Sequence, residues 1–350
     1  MRWKGTVATI CGALAVMAAL APTSSATARP AQDTVSWGAQ APIPGVGGSS
    51  DAPAITSCDN NSSYAGTYLM WKGAGSDQHL YFNKMDRQGN WGNQVPLPFG
   101  GSSTAPSITC GYDQLIAVWK GVGSDSRIFY SFSDNGGATW TAQAPAGETA
   151  RTDITPTVDW LPGAGIRPYL VWKGVGSDNR VYSSEWFGYW TSGAAVPGAV
   201  TDTPPRATYH LGGFGVVWKG YGSDPKFWFQ RLGEDGWLSA PVVIVADGGS
   251  STTPALTWGP HGQQFMTWKG VGSDQRVYYT TAVEHCGDAT HPECWNPQQV
   301  NPAVGGTSSA PGVAAQQIIR PDGSAYSAEV LVWKGASGDQ RLFYSIGALP

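Results

Sequence analysis

The sequence predicts an all-β fold, a six-bladed β-propeller of four-stranded antiparallel blades whose ring is closed by the N-terminal strand. Three observations predict it: a unit of about 50 residues that occurs six times, a composition rich in turn-forming residues, and a strand pattern that is out of step with the repeat at both ends. Four-stranded antiparallel units repeated in this number are typical of a propeller.

The repeat is clearest in the motif W-K-G-x-G-S-D-x-R-h-F/Y-Y, in which h is an apolar residue, and the motif is complete at residues 119–130 and 268–279. Its six copies begin at Trp71, Trp119, Trp172, Trp218, Trp268 and Trp333. A Gly-Ser/Thr-Ser-x-x-Pro segment precedes several copies, and a tryptophan-led segment that runs toward a proline follows five of them. We therefore expect four strands per unit: one led by the proline, one ending at W-K-G, one starting at the Asp and one led by the tryptophan.

The two ends of the chain predict how the ring closes. A sixth tryptophan-led segment lies before the first W-K-G copy, at Trp37, whereas the last copy runs to Pro350 without one. The N-terminal strand should therefore complete the sixth blade. No unit contains a 3.6-residue apolar period long enough for a helix, which excludes an α-solenoid.

The N-terminal segment has the pattern of a secretory signal. Arg2 and Lys4 precede an apolar run over residues 7–20, and the small-residue sequence Ala26-Thr27-Ala28 follows. The run is shorter than a membrane span, and no later stretch is apolar enough for one. We expect residues 1–28 to be a signal peptide and residues 29–350 to be a single propeller domain that is secreted, extracellular and not inserted in a membrane.

Composition narrows the range of partners. The chain has 21 Lys and Arg against 25 Asp and Glu, which gives a net charge of −4, and it has no basic cluster. This balance argues against nucleic acid and anionic membrane as partners. The 47 glycines and 25 prolines agree with many short strands joined by tight turns.

Four cysteines follow the signal segment, which contains Cys11, and an even number in an exported chain favours disulfides. Cys286 and Cys294 bracket a short insertion and are expected to pair. Cys58 and Cys110 then follow by elimination, and they occupy nearly equivalent places in successive repeats.

Zinc is the alternative for the second cysteine pair, because His285 and His291 are nearby. The spacing matches no established zinc pattern. We therefore predict neither a metal site nor a cofactor.

The W-K-G-x-G-S-D segment also predicts a binding surface. Two glycines permit a tight turn, and the Asp can accept backbone N–H groups that hold it. Because side chains alternate along a strand, the Asp, the Arg and the aromatic residue after it should share one face. The complete sets are Asp125, Arg127 and Phe129; Asp178, Arg180 and Tyr182; and Asp274, Arg276 and Tyr278. Such groups suit a sugar, and several weak sites on one ring would give avidity.

A purely structural interpretation is also open. The W-K-G tryptophan could be inter-blade core, and the Asp–Arg pair could lock a turn. Residues 133–140 resemble the Asp-box of sialidases, which is itself a structural turn. Against this interpretation, a lysine beside the tryptophan in all six copies is more than folding alone should require.

The W-K-G block followed by a tryptophan-led strand resembles bacterial β-propeller lectins of the Photorhabdus type and, more distantly, the Aleuria-type fucose lectin. The resemblance covers about residues 35–350. It implies glycan pockets between adjacent blades, fucose or related sugars of cell surfaces or cell walls as partners, and no catalysis. The implied ligand residues are the six W-K-G tryptophans and the arginines Arg127, Arg180, Arg276 and Arg341.

Three copies depart from the motif. The Arg position is His79 in the first copy and Lys226 in the fourth, and Ser337 and Gly338 are exchanged in the sixth. No Glu recurs with the period, whereas the fungal lectins place one in the pocket. The second, third and fifth copies are therefore expected to keep complete sites.

Two other functions remain alternatives. A sialidase-like glycosidase would need residues that break the repeat, and the candidates are Arg151, Arg206, Arg320, Glu148 and Glu329. They include no obvious carboxylate pair. A protein-binding platform, such as the targeting subunit of a secreted toxin-like particle, would explain the insertion at residues 284–296.

Overall fold

The computed structural model describes residues 35–58, 63–161, 167–209, 214–233, 236–237, 240–245, 247–258, 263–282 and 291–348. The expected signal segment, residues 1–28, and the side chains of His285 and Cys286 lie outside the described residues.

Six antiparallel sheets confirm the predicted all-β, six-bladed propeller. The first two strands are β1 (Ser36–Trp37) and β2 (Ala41–Pro42). Blade 1 contains β3 (Ala54–Cys58), β4 (Gly66–Lys72), β5 (Leu80–Met85) and β6 (Val95–Pro96). Blade 2 contains β7 (Ser107–Gly111), β8 (Gln114–Lys120), β9 (Ile128–Ser133) and β10 (Ala144–Pro145). Blade 3 contains β11 (Thr157–Leu161), β12 (Arg167–Lys173), β13 (Arg180–Glu185) and β14 (Ala194–Val200).

The other three blades follow the same order. Blade 4 contains β15 (Arg206–Thr208), β16 (Gly215–Lys219), β17 (Phe227–Gly233), β18 (Gly236–Trp237) and β19 (Val242–Val243). Blade 5 contains β20 (Ala255–Trp258), β21 (Gln264–Lys269), β22 (Val277–Thr281) and β23 (Gln299–Val300), with a 3-10 turn at Pro292–Cys294. Blade 6 contains β24 (Gly312–Ile319), β25 (Ala325–Lys334) and β26 (Leu342–Ala348). Within the described ranges, no helix is long and apolar enough to cross a membrane.

The N-terminal strands close the ring, as predicted. Both β1 and β2 pair with β26, with Ser36 opposite Ala348 and Ala41 opposite Tyr344. The inner strand of blade 6, β24, also contacts the inner strand of blade 1, β3. The inner strands of all six blades surround a central channel.

The core lies between the blades. Strands that end at W-K-G are buried on both faces, and every residue of Gly66–Lys72 is buried. One cluster packs Trp119 of blade 2 against Tyr68, Met70 and Phe82 of blade 1. Burial on both faces explains why these strands lack the apolar–polar alternation of a half-exposed sheet.

The outermost strands differ from the prediction. In blades 1, 2, 3 and 5 they begin after the tryptophan rather than at it, and in most blades they are two residues long. Trp91, Trp190 and Trp295 form only isolated bridges. The reason is that these indoles turn toward the preceding blade: Trp91 meets Tyr344 with ring centroids 5.6 Å apart, and Trp190 meets Tyr130 at 5.8 Å.

The Cys58–Cys110 disulfide is confirmed, with a Cα–Cα distance of 5.2 Å. It joins β3 to β7, the inner strands of blades 1 and 2. Cys294 is buried, but its expected partner Cys286 lies outside the described residues, so that pairing stays a prediction.

Candidate functional site

Each W-K-G turn connects the second and third strands of a blade, and both of its glycines are needed. The second glycine has a left-handed backbone, with φ of +53° at Gly123. The first lies against the Asp, since a Cβ on Gly121 would stand 2.6 Å from Cγ of Asp125. In the sixth copy the exchange of residues gives the left-handed position, φ +51°, to Ser337.

The Asp of each turn accepts the backbone N–H of the residue two positions later, at 2.9 to 3.2 Å in all six copies. In four copies the same carboxylate also receives Nε and Nη2 of the arginine, at 2.7 to 3.2 Å. These arginines are Arg127, Arg180, Arg276 and Arg341. The side-chain hydrogen bonds from Arg127 hold the pKa of Asp125 at about 2. The carboxylate is therefore ionised and fully occupied.

Three layers build the surface around each arginine. The guanidinium carbon lies 5.0 to 5.3 Å from the centre of the aromatic ring two residues later. That ring is stacked on the W-K-G tryptophan across the strand pair, as for Phe129 on Trp119 at 6.3 Å and 21°. The predicted Asp, Arg and aromatic side chains are thus in contact in these blades.

The layers differ sharply in exposure. All six W-K-G tryptophans, Trp71, Trp119, Trp172, Trp218, Trp268 and Trp333, are at most 2% exposed. The four arginine side chains are 50% to 69% exposed. A ligand approaching from solvent would therefore meet the guanidinium first, with the tryptophan as the floor beneath it. The described residues provide no partner for Nη1 of these arginines, which leaves one donor edge open.

The W-K-G lysine has a structural role, which corrects the inference that its recurrence points to a ligand. Lys120 is 5% exposed, and its Nζ donates to the carbonyls of Gly121 and Gly123 at 3.2 and 2.8 Å and to Oγ of Ser103 at 2.7 Å. In each of the six blades the lysine bonds the same connector position. The partners are Ser50, Ser103, Asp153, Asp202, Ser251 and Ser308. The lysine therefore ties the turn to the preceding connector.

A hydrogen bond of constant geometry joins each blade to the connector that leads to the next blade. The carbonyl of the residue after the Asp accepts the N–H of a buried Ser or Thr in the following connector, at 2.7 to 3.0 Å in all six places. Arg127 also forms an isolated backbone bridge with Arg151 of the next connector. The side chain of each arginine instead borders the preceding blade, because the ring beneath it packs on that side, as Phe129 shares a cluster with Phe82 of blade 1.

The clefts differ in what fills them. Between blades 6 and 1 lies a cavity of about 110 Å³, lined by Trp71, Asp77, Tyr81 and Gln94. Between blades 1 and 2, Phe99 stacks on Trp119 at 4.4 Å and 10°, which covers that tryptophan. Val46 and Val304 stand at the corresponding places before blades 1 and 6.

Sequence reasoning missed the connector glutamines. Gln94, Gln143 and Gln40 stand three residues after a tryptophan of the outer segment, and each accepts a glycine N–H of the connector at 2.8 to 2.9 Å. The periodicity of these glutamines was a signal that could have found them.

The two incomplete copies keep the Asp without the guanidinium. His79 Nδ1 lies 2.7 Å from Asp77, and Lys226 is exposed. In the segment resembling an Asp-box, Ser133 accepts the N–H of Gly137 and Asn135 accepts the N–H of Thr139. These hydrogen bonds hold a structural turn, as expected.

The structure scatters the residues considered for a glycosidase. Glu148 is exposed, and Arg320 lies over Tyr326 at 4.3 Å. Glu329 is fully buried in blade 6, and neither carboxylate oxygen has a hydrogen-bond partner among the residues described. Arg206 lines the central channel. No group of three His, Cys, Asp or Glu side chains in the described part of the chain could hold a metal ion.

The fold and these repeated turns define a six-bladed β-propeller in which the same turn and connector contact recur in every blade. No protein-family model matches the sequence, and neither does any curated protein. A protein of unknown function from Dyadobacter fermentans shares the fold, with a TM-score of 0.62 and 14% identity over 90% of this chain and 99% of that one.

Lectins are among the similar structures. The Aleuria aurantia lectin bound to Fucα1-6GlcNAc matches with a TM-score of 0.55 and 14% identity over 85% of this chain and 96% of the lectin. AofleA from Arthrobotrys oligospora matches with a TM-score of 0.51 and 12% identity over 90% of each chain. At these identities the likeness demonstrates the propeller fold alone.

Proposed function

We propose that the chain is a secreted, multivalent carbohydrate-binding protein, a lectin without catalytic activity, whose ligands bind at inter-blade clefts. The observation that carries this proposal is the guanidinium that four blades hold in one orientation on an aromatic ring. A planar donor fixed in this way can pair with two sugar oxygens, and its pre-organisation reduces the entropy lost on binding.

The geometry divides the roles among the predicted site residues. Arg127, Arg180, Arg276 and Arg341 contact the glycan through the open Nη1 edge. Asp125, Asp178 and Asp274 act as positioning residues, because their oxygens are already occupied by N–H and O–H donors. The W-K-G tryptophans support the aromatic ring from below, and Trp71 also borders the open cavity.

Fucose is the first sugar to test. The Aleuria lectin is described as fucose-specific and as a six-bladed propeller, and the W-K-G motif resembles the Photorhabdus-type lectins. The N-terminal segment supports export, so glycans of cell surfaces or cell walls are the proposed partners.

A glycan array probed with the chain from Arg29 tests the function, and calorimetry on any hit gives the number of sites. Replacing Arg127, Arg180, Arg276 and Arg341 with Ala should abolish binding to the hit. The melting temperature should change little, because these ion pairs are exposed and solvent screens them.

Two controls sharpen this test. Arg320→Ala removes an arginine that also lies on an aromatic ring but away from the clefts, and it should leave binding unchanged. Replacing the four cleft arginines with Lys keeps the positive charge but removes the planar guanidinium and its paired N–H donors, so binding should weaken at least tenfold. Undiminished binding by the four-Ala variant would remove the arginines from the site.

A protein-binding platform is the second candidate, favoured by aromatic side chains on the surface. Tyr112, Tyr209 and Trp258 are 66%, 41% and 37% exposed, and Tyr209 stacks on Trp258 at 6.3 Å. A blank array with a folded chain would favour this function. Capture of a secreted partner that Trp258→Ser abolishes would support it.

A further inference from the structure

One position in the inner strands breaks the symmetry of the ring. The residue opposite the one that precedes the W-K-G tryptophan is small in five blades. These residues are Ala54, Ser107, Thr157, Ala255 and Gly312. In blade 4 the same register position is Arg206, opposite Val217. A long cation has therefore replaced a small side chain at one of six equivalent places around the channel.

Arg206 stands where two cavities of the channel meet. One has a volume of about 240 Å³, and its lining includes Thr109, Asp159 and Thr257. The other has a volume of about 270 Å³, and its lining includes Ser107 and Ser309. Arg206 lines both. Either volume is several times that of a water molecule, about 30 Å³ in the liquid.

The guanidinium of Arg206 has no counter-ion among the described residues. None of the residues that the structure describes forms a hydrogen bond or an ion pair with Arg206. The two channel carboxylates are used elsewhere: Asp159 accepts Oγ1 of Thr109 at 3.0 Å and the N–H of Trp160 at 2.9 Å, and Asp51 accepts two backbone N–H groups. Burial lowers the pKa of Arg206 to about 10, so the group is still charged at neutral pH.

A charge held inside the channel without a protein partner is costly, and an oxyanion ligand would offset that cost. A second group on the lining of the same cavity also lacks a partner. Oγ of Ser309, on the lining of the second cavity, is shielded from solvent and has no hydrogen-bond partner in the described structure. Because this hydroxyl has no accessible surface, Arg206 is the donor that an anion in the cavity would meet.

We propose that the central channel is a second binding site, separate from the inter-blade clefts, in which Arg206 binds a small oxyanion. The shared chemistry is a carboxylate, sulfate or phosphate group, either free or as the charged group of a sugar acid. This site would exist whether or not the clefts bind glycans, because none of the cleft arginines lines it.

Calorimetry of the chain from Arg29 in a low-chloride buffer tests the site with three probes: sodium sulfate, sodium glucuronate and glucose. We expect saturable binding of one anion per chain and none of glucose. Arg206→Ala should weaken anion binding at least tenfold, and the exposed Arg320→Ala should not change it. Sulfate and glucuronate binding equally would assign the site to the free anion, whereas glucuronate binding alone would assign it to a sugar acid.

Thermal unfolding gives an independent readout. Sulfate stabilises most proteins by exclusion from their surface, so the quantity to compare is the shift in melting temperature from chloride to sulfate in each variant. The shift should be larger for the unaltered chain than for Arg206→Ala, and Arg206→Gln serves if the alanine variant does not fold. Anion binding that survives the loss of Arg206, or no anion binding by the unaltered chain, would overturn the proposal. Glycan binding at the clefts should persist in either variant, so the two proposals fail separately.

Discussion

Lysine is rarely buried, yet this ring buries six, and each ties a turn to a connector. In blade 2 we expect Lys120→Met to destabilise the protein by about 3 kcal/mol, because three acceptors lose their donor inside the protein. Methionine keeps most of the apolar stem, so packing changes little. Urea unfolding at neutral pH measures the difference in free energy of unfolding.

The matched control is Lys226→Met, because Lys226 is exposed and lies in the same kind of turn. It should change the free energy of unfolding by no more than about 0.5 kcal/mol. Equal stability losses in the two variants would mean that the lysine contacts in the turn are not what stabilises it.

Glu329 predicts a pH dependence of stability. Burial raises the pKa of this carboxyl well above 4.5 in the folded state. Between the unfolded and folded pKa values the folded chain therefore holds a proton that the unfolded chain has released. Stability should fall as pH rises above about 4.5, with a limiting slope of about 1.4 kcal/mol per pH unit.

Glu329→Gln removes this proton while nearly keeping the shape, and blade 5 has Gln264 at the equivalent place. Urea unfolding at pH 5 and pH 8 should show a smaller decline for the variant and a greater stability at pH 8. The exposed Glu148→Gln is the control and should follow the unaltered chain. Parallel profiles for Glu329→Gln and the unaltered chain would contradict the prediction.

Sequence reasoning correctly predicted which side chains share a face of a strand. It did not predict which of those side chains are buried. The alternation brought Asp125, Arg127 and Phe129 to one face, as the hydrogen bonds and ring contact show. It could not predict that Trp119 would be sealed beneath Phe129, nor that Lys120 would turn inward. Both depend on the adjacent blade and connector, which a single repeat does not reveal.

At the scale of elements, the second and third strands were the most predictable, because the W-K-G turn fixes where one ends and the next begins. The outer strands were less predictable because their tryptophans pack across the blade boundary. The same contact pattern extends to the closing strand, in which Trp37 lies 5.7 Å from the ring of Tyr279 in blade 5. The tryptophan-led segment therefore contacts the preceding blade as well as contributing a strand to its own blade.

At the scale of the whole molecule, the six clefts share a backbone and differ in side chains. Four clefts are bordered by an arginine, whereas His79 and Lys226 border the other two. Phe99 covers Trp119, the tryptophan beneath Phe129 and Arg127, whereas the copy that contains His79 has the open cavity lined by Trp71 and Asp77. The copy that has a covered tryptophan therefore keeps its arginine, and the copy that has an open cavity lacks one.

Calorimetry with the glycan found on the array should therefore give four sites per chain rather than six. Arg341→Ala should reduce the number to three with little change in melting temperature, since Arg341 is 69% exposed. His79→Arg should raise it to five, because it introduces the arginine into the copy whose cavity, lined by Trp71, is open. A value of six in the unaltered chain, or four in Arg341→Ala, would show that the clefts bind without the guanidinium and that the shared backbone of the connectors recognises the sugar.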